Sequence, residues 1–172
     1  ILASEDLCLV KHLNWFVKNR IDGLKIEGRM KTAVYLAQVL DVYATALSDL
    51  RAGTFRPGLY LRELAPASTR PLGTGMTLAR NRVLLRPGDQ PRQCPIVAQV
   101  RNPHGDKAWT VQVKSRWESG NTLQILVPGL ERPVLCPGDY GLETPWGEEV
   151  KVVHSGQEAL LRCDHPDLGR WR

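Results

Sequence analysis

Apolar residues recur every three or four positions through the first fifty residues, and give way to short alternating runs after Gly53. In residues 5–19, Leu9, Leu13, Phe16 and Val17 share one helical face, with Ser4 as cap, Glu5 and Asp6 at the positive end, and Lys18 and Arg20 at the other. An extended segment is predicted at 23–27. A long helix follows over 30–51, where Ala33, Ala37, Leu40, Ala44, Leu47 and Leu50 keep the spacing and Gly53 closes it. Helix, strand and helix make an α/β unit, but one strand cannot bury both faces of a sheet. Ile1-Leu-Ala reads as the stump of a preceding strand. Residues 1–52 are therefore expected to be the end of a larger α/β domain.

Beyond residue 53 the texture is β. All 12 prolines lie there, and the strand candidates are residues 58–63, 83–85, 96–100, 108–114, 122–127, 149–153 and 159–162, several alternating with period two. Pro87-Gly-Asp89 and Pro137-Gly-Asp139 carry the same turn chemistry. Short strands at this spacing favour a small barrel or sandwich. The expected fold class is α+β: a short α/β piece over 1–52, then a β-barrel-like all-β domain over 53–172.

Charge changes the picture in one place. The net charge is +5, and residues 53–92 hold seven arginines, Arg56, Arg62, Arg70, Arg80, Arg82, Arg86 and Arg92, against only Glu63 and Asp89. With Tyr60 interleaved, they make a candidate RNA-binding surface; a solvated, loop-rich face is the plainer alternative. Trp109, Trp117, Trp146 and Trp171 can stack on bases or anchor a core. No run is long and apolar enough for a membrane span and no signal-peptide layout opens the chain, so no membrane partner and a cytoplasmic location are expected. Cys8, Cys94, Cys136 and Cys163 are widely spaced without CxxC pairing, and free thiols are expected. Cys163, His165, His154 and Cys136 match no regular zinc spacing. No HExxH helix and no visible nucleophile–base pair supports hydrolysis of peptides.

The densest chemistry is Asp22-Gly-Leu-Lys-Ile-Glu-Gly-Arg-Met30. Lys25, Glu27 and Arg29 fall where a strand would end and a helix begin, the rim on which α/β folds place active-site groups. They are candidate catalytic residues; a salt-bridged rim that merely orients the loop is the alternative. Ile26 to Arg29 also spells a protease-cleavage sequence of engineered fusions, yet its flanks read as continuous strand and helix.

Ser4-Glu-Asp-Leu-Cys8, then Asp22 to Lys31, then Tyr35 and Val42-Tyr-Ala-Thr-Ala-Leu47 resemble the peptidase U32 family in order and spacing. There an "S-x-D-L-C" start precedes "S-L-K-I-E-G-R-x-K" and a tyrosine-bearing helix. Ser68-Thr-Arg-Pro-Leu-Gly-Thr-Gly75 is a divergent counterpart of the family's "H-R-G-F-T-x-G" segment, Arg70, Thr74 and Gly75 corresponding. The resemblance implies an incomplete TIM-like barrel followed by a β-rich domain. It implies either oxygen-independent hydroxylation, with tRNA or ribosomal RNA bases as substrate and the β domain binding RNA, or a collagenase-like peptidase whose β domain grips protein substrate. It also implies that Cys8 is the fourth ligand of a [4Fe-4S] cluster in a full-length protein. No cofactor is expected in this chain alone, which is expected to be inactive by itself; a non-catalytic assembly role is the third reading.

Overall fold

The computed structural model describes residues 5–68, 70–75, the backbone of 83–85, and residues 95–164. Helices and sheets coexist in an α+β architecture. Two compact units form, Ile1–Cys94 with Pro128–Leu130, and Pro95–Val127 with Glu131–Arg172. This division falls later than the change of texture at residue 53, because the segment after Gly53 stays with the helices.

In the first unit, β1 (Asp6–Leu7) pairs in parallel with β2 (Leu72–Gly73), which pairs antiparallel with β3 (Val83–Leu85). The helix expected over 5–19 is corrected. Asp6 N–H bonds to Pro71 C=O at 2.9 Å and Cys8 N–H to Gly73 C=O at 2.8 Å, so strand pairing claims the backbone before a helix can start. Only a 3₁₀ turn (Val10–His12) and α1 (Leu13–Lys18) remain of it. The extended segment over 23–27 joins no strand.

The long helix is α2 (Ala33–Ala52): the Thr32 hydroxyl accepts from Tyr35 N–H at 3.2 Å, and Gly53, at φ +75°, ends it as expected. A second correction falls on 58–63, which is α3 (Pro57–Leu64) rather than a strand. Proline at the first helical turn favours the helix, and Tyr60, Leu61 and Leu64 all face inward. Their helical spacing was hidden by the shorter alternation around Leu59 and Leu61. A 3₁₀ turn (Ala65–Ala67) leads out of α3. These elements bury Cys8, Val10, Leu13, Val39, Val42, Ala46, Tyr60 and Leu72 together. The Tyr60 hydroxyl donates to the Asp49 carboxylate at 2.6 Å and accepts from Arg56 N–H at 2.9 Å, tying α3 to the end of α2. Asp41 accepts from the N–H groups of Gly129 and Leu130, at 2.6 and 3.2 Å.

The second unit is antiparallel. Its four-stranded sheet runs β4 (Ala98–Pro103), β5 (Ala108–Val113), β11 (Glu158–Cys163), β9 (Tyr140–Glu143). Beside it, β6 (Trp117–Glu118) pairs with β10 (Val152–Val153), and β7 (Leu123–Gln124) with β8 (Val134–Leu135). Among the described residues the sheet is open, with β4 and β9 at its edges. Alternation in β5 sends Trp109, Val111 and Val113 into a core shared with Trp117, Leu135, Tyr140, Leu142 and Leu161. The Pro137-Gly-Asp139 turn forms as expected, with Gly138 at φ +97° and Asp139 N–H bonded to Cys136 C=O at 3.0 Å. The Pro87-Gly-Asp89 turn and the Ile1-Leu-Ala stump lie outside the described residues.

Candidate functional site

The three segments that resemble the U32 pattern meet at the β1–β2 pair. Strand β1 presents Asp6, whose carboxylate accepts from the Ser68 hydroxyl at 2.6 Å and from Lys31 Nζ at 2.9 Å. Lys31 also sits 4.6 Å from the centre of the Tyr35 ring. Ser68 Oγ reaches Arg70 as well, within hydrogen-bonding distance of its N–H and its C=O. Burial alone would raise the Asp6 carboxyl, but the Ser68 hydroxyl, Lys31 and Arg70 together hold it below the ordinary carboxylate value. Asp6 is therefore a permanent anion at neutral pH, and it joins the chain's start, its central motif and the turn before β2.

Linkage gives this network a pH signature. Because the folded value is lowered, its contribution is complete above the unfolded pKa of about 3.9 and is lost as pH falls through the folded value. Urea titrations between neutral and acidic pH are expected to show a steeper acid loss in the natural chain than in Asp6→Asn.

Lys25 and Glu27 pair with each other at 2.8 Å, both well exposed. That is the arrangement of the salt-bridged rim. Arg29 is exposed, whereas Ile26 between them packs on the core. Gly28 has a steric reason: a Cβ there would overlap Leu36 Cδ2 of α2. Gly28 C=O accepts from Lys31 N–H at 2.9 Å, closing the turn that delivers Lys31 to Asp6. Gly28→Ala is expected to cost no more than about 1 kcal/mol, since the overlap is with the far end of a half-buried Leu36 side chain that can turn away; chemical denaturation measures it.

Cys8 is buried, at 3% exposure, and burial pushes its thiol up despite bonds from Val10 and Tyr43. The Tyr43 hydroxyl is likewise raised, chiefly by burial, and accepts from Leu9 N–H at 3.2 Å. Cys8 follows β1 and precedes the 3₁₀ turn, so no α-helix N-terminus stands behind its thiol. Cys136 and Cys163 belong to the second unit, Cys136 exposed in a turn and Cys163 in the core. Among the described residues no three His, Cys, Asp or Glu side chains gather as a metal site. Among the described residues no second cysteine stands beside Cys8, so these residues alone do not assemble an iron–sulfur site, and no chemistry is derived through one.

The predicted RNA-contacting arginines divide. Arg56 is held by Asp49, through Nη2 at 2.8 Å and Nε at 3.1 Å. Arg62 is exposed on α3, and Arg70 is exposed beside Asp6. All three belong to the first unit, not to the β-rich one. Arg80, Arg82, Arg86 and Arg92 lie outside the described residues, as do Cys94, His165 and Trp171. Trp109 and Trp117 are core residues, whereas Trp146 is 75% exposed.

Sequence reasoning missed Asp6, Lys31 and Ser68 as a unit. Asp6 and Lys31 each stand in a quoted motif, but nothing local links two side chains so far apart in sequence. No helix among the described residues is long and apolar enough to cross a membrane.

Residues 1–85 match the model of peptidase family U32. The tRNA hydroxylation protein P of Helicobacter pylori (strain 26695) is 35% identical over 81 residues, 46% of this chain and 19% of that protein. The tRNA hydroxylation protein P of Escherichia coli K12 is 40% identical over 53 residues, 31% of this chain and 12% of that protein. An uncharacterized protease, MJ0090, of Methanocaldococcus jannaschii is 30% identical over 77 residues, 44% of this chain and 19% of that protein. The chain thus spans at most about a fifth of these relatives' length, and no solved structure matches it. Family pattern, matched residues and the Asp6–Lys31–Ser68 junction coincide in the first half, and through that half the chain belongs to peptidase family U32.

Proposed function

We propose that this chain is part of a protein that hydroxylates tRNA or ribosomal RNA bases without oxygen, and that its first unit meets the RNA. The observation that carries this reading is the likeness to proteins named for tRNA hydroxylation, together with a family match over residues 1–85, where the positive excess lies. Residues 1–94 hold 14 Lys/Arg against eight Asp/Glu, while residues 95–172 hold nine against ten. A polyanion is drawn to the first and gains no net attraction from the second. The RNA contact is therefore assigned to Arg62, Arg70 and the arginines between residues 80 and 92, rather than to the β-rich unit. Lys25, Glu27 and Arg29 are assigned to the active-site rim of the full-length protein, and the parallel β1–β2 pair is read as part of a larger TIM-like barrel.

Salt dependence tests this. Fluorescence anisotropy with labelled tRNA is expected to show the logarithm of affinity falling with the logarithm of salt at a slope of about −2 or steeper, since each phosphate contact contributes about −0.9. No binding at low salt would overturn the RNA role. Cleavage of collagen or casein by the full-length protein, abolished by Glu27→Ala, would favour the peptidase reading instead.

A further inference from the structure

We propose that the hairpin tip at residues 144–148 of the second unit is a docking point for an arginine-bearing segment of a protein partner. The tip is built rigidly. Thr144 N–H bonds to Glu148 C=O at 2.7 Å, Gly147 N–H to Thr144 C=O at 3.0 Å, and Glu148 N–H to Thr144 Oγ1 at 3.0 Å. Pro145 fixes one corner, and Gly147, at φ +91°, takes the left-handed corner that other residues avoid. Below the tip, Val150 N–H bonds to Leu142 C=O at 2.9 Å, and Leu142 is fully buried, so the arms are anchored in the core.

At its apex stands Trp146, 75% exposed. Its indole N–H donates to Glu148 Oε2 at 3.0 Å, which favours one orientation of the ring while leaving its surface to solvent. A large aromatic face with few rotatable bonds loses little entropy on binding.

Charge selects the partner. Residues 139–150 contain Asp139, Glu143, Glu148 and Glu149 and no Lys or Arg. Glu143 is paired with Arg162, whereas Glu148, bonded to the indole N–H, and Glu149, next in sequence, are exposed. A nucleobase can stack on tryptophan, but its phosphates would have to approach these carboxylates. A cation gains from both, because indole is the strongest cation–π partner and the carboxylates supply countercharge. Guanidinium is favoured over ammonium, since its plane stacks on the ring while its edge reaches a carboxylate.

The test is a titration of the chain with a short Gly-Arg repeat peptide, followed by the Trp146 indole N–H resonance and, for affinities of the chain and its variants, by isothermal titration calorimetry. The resonance is expected to shift and saturate, and both Trp146→Ala and Glu148→Gln are expected to weaken peptide binding about three- to fivefold. A Gly-Lys repeat is expected to bind more weakly. The proposal is overturned if the resonance stays still at saturating peptide, if Trp146→Ala binds as well as the natural chain, or if an oligouridine RNA shifts it more strongly. A shift that follows protein concentration without peptide would point to a second copy and overturn it too. Circular dichroism of each variant separates lost docking from lost folding. None of these outcomes depends on whether the first unit binds RNA.

Discussion

Trp117→Ala is expected to cost the second unit about 3–5 kcal/mol, the range for truncating a buried aromatic side chain. Trp117 is the largest fully buried side chain of this core, at 1% exposure. Its ring lies 5.9 Å from that of Tyr140, and its indole N–H donates to the Tyr140 hydroxyl at 3.3 Å. That hydroxyl also bonds to Asn121 C=O at 2.8 Å, so truncation leaves Tyr140 satisfied and the loss is one of packing. Most domains have only about 5–15 kcal/mol in hand. The second unit is therefore expected to lose much of its near-ultraviolet signal and its dispersed amide resonances at ambient temperature, while resonances of the first-unit core around Leu13, Val42 and Tyr60 persist. Trp146→Ala, at an exposed site, is the control and is expected to change stability by less than about 0.5 kcal/mol. A loss below 1 kcal/mol for Trp117→Ala would contradict this core.

How far the sequence could be read depended on where the deciding interactions lie. The end of α2 was legible because Gly53 and the apolar spacing are local, and the Pro137-Gly-Asp139 turn for the same reason. Strand β5 was legible because alternate residues reach the core, and β11 because Ala159-Leu-Leu161 is a short apolar run, buried throughout. The start of the chain was not, since residues 6–8 are claimed by partners at 71–73, beyond the reach of any local period. Tyr140–Glu143 escaped notice because a four-residue strand with a glycine in it carries little signal. For α3, the first-turn proline outweighed an alternation that two leucines and a tyrosine mimic.

The candidate site followed the same division. The motif from Asp22 to Met30 marked the family, and Gly28 has a visible steric role. Its charged residues, however, do not converge as a set: Lys25 and Glu27 satisfy each other in solvent. The convergent group is Asp6, Lys31 and Ser68, whose members span sixty residues of sequence and become neighbours only through the β1–β2 pairing. Arginine clustering in sequence was likewise visible, but its assignment to the β-rich unit was not justified by composition alone, because the structure gives Arg56, Arg62 and Arg70 to the helical unit.

The assignment of RNA contact to the first unit is tested most directly by removing charge from one unit at a time and measuring tRNA affinity across a salt series. Arg62→Gln with Arg70→Gln is expected to weaken binding by about tenfold to a hundredfold and to flatten the salt slope by about 2, one for each lost phosphate contact. Lys114→Gln with Lys151→Gln removes two exposed charges from the second unit and is expected to change affinity less than about twofold, because the proposal gives these two side chains no phosphate contact. The reverse pattern, with the second-unit pair abolishing binding and the first-unit pair leaving both affinity and slope unchanged, would contradict the account.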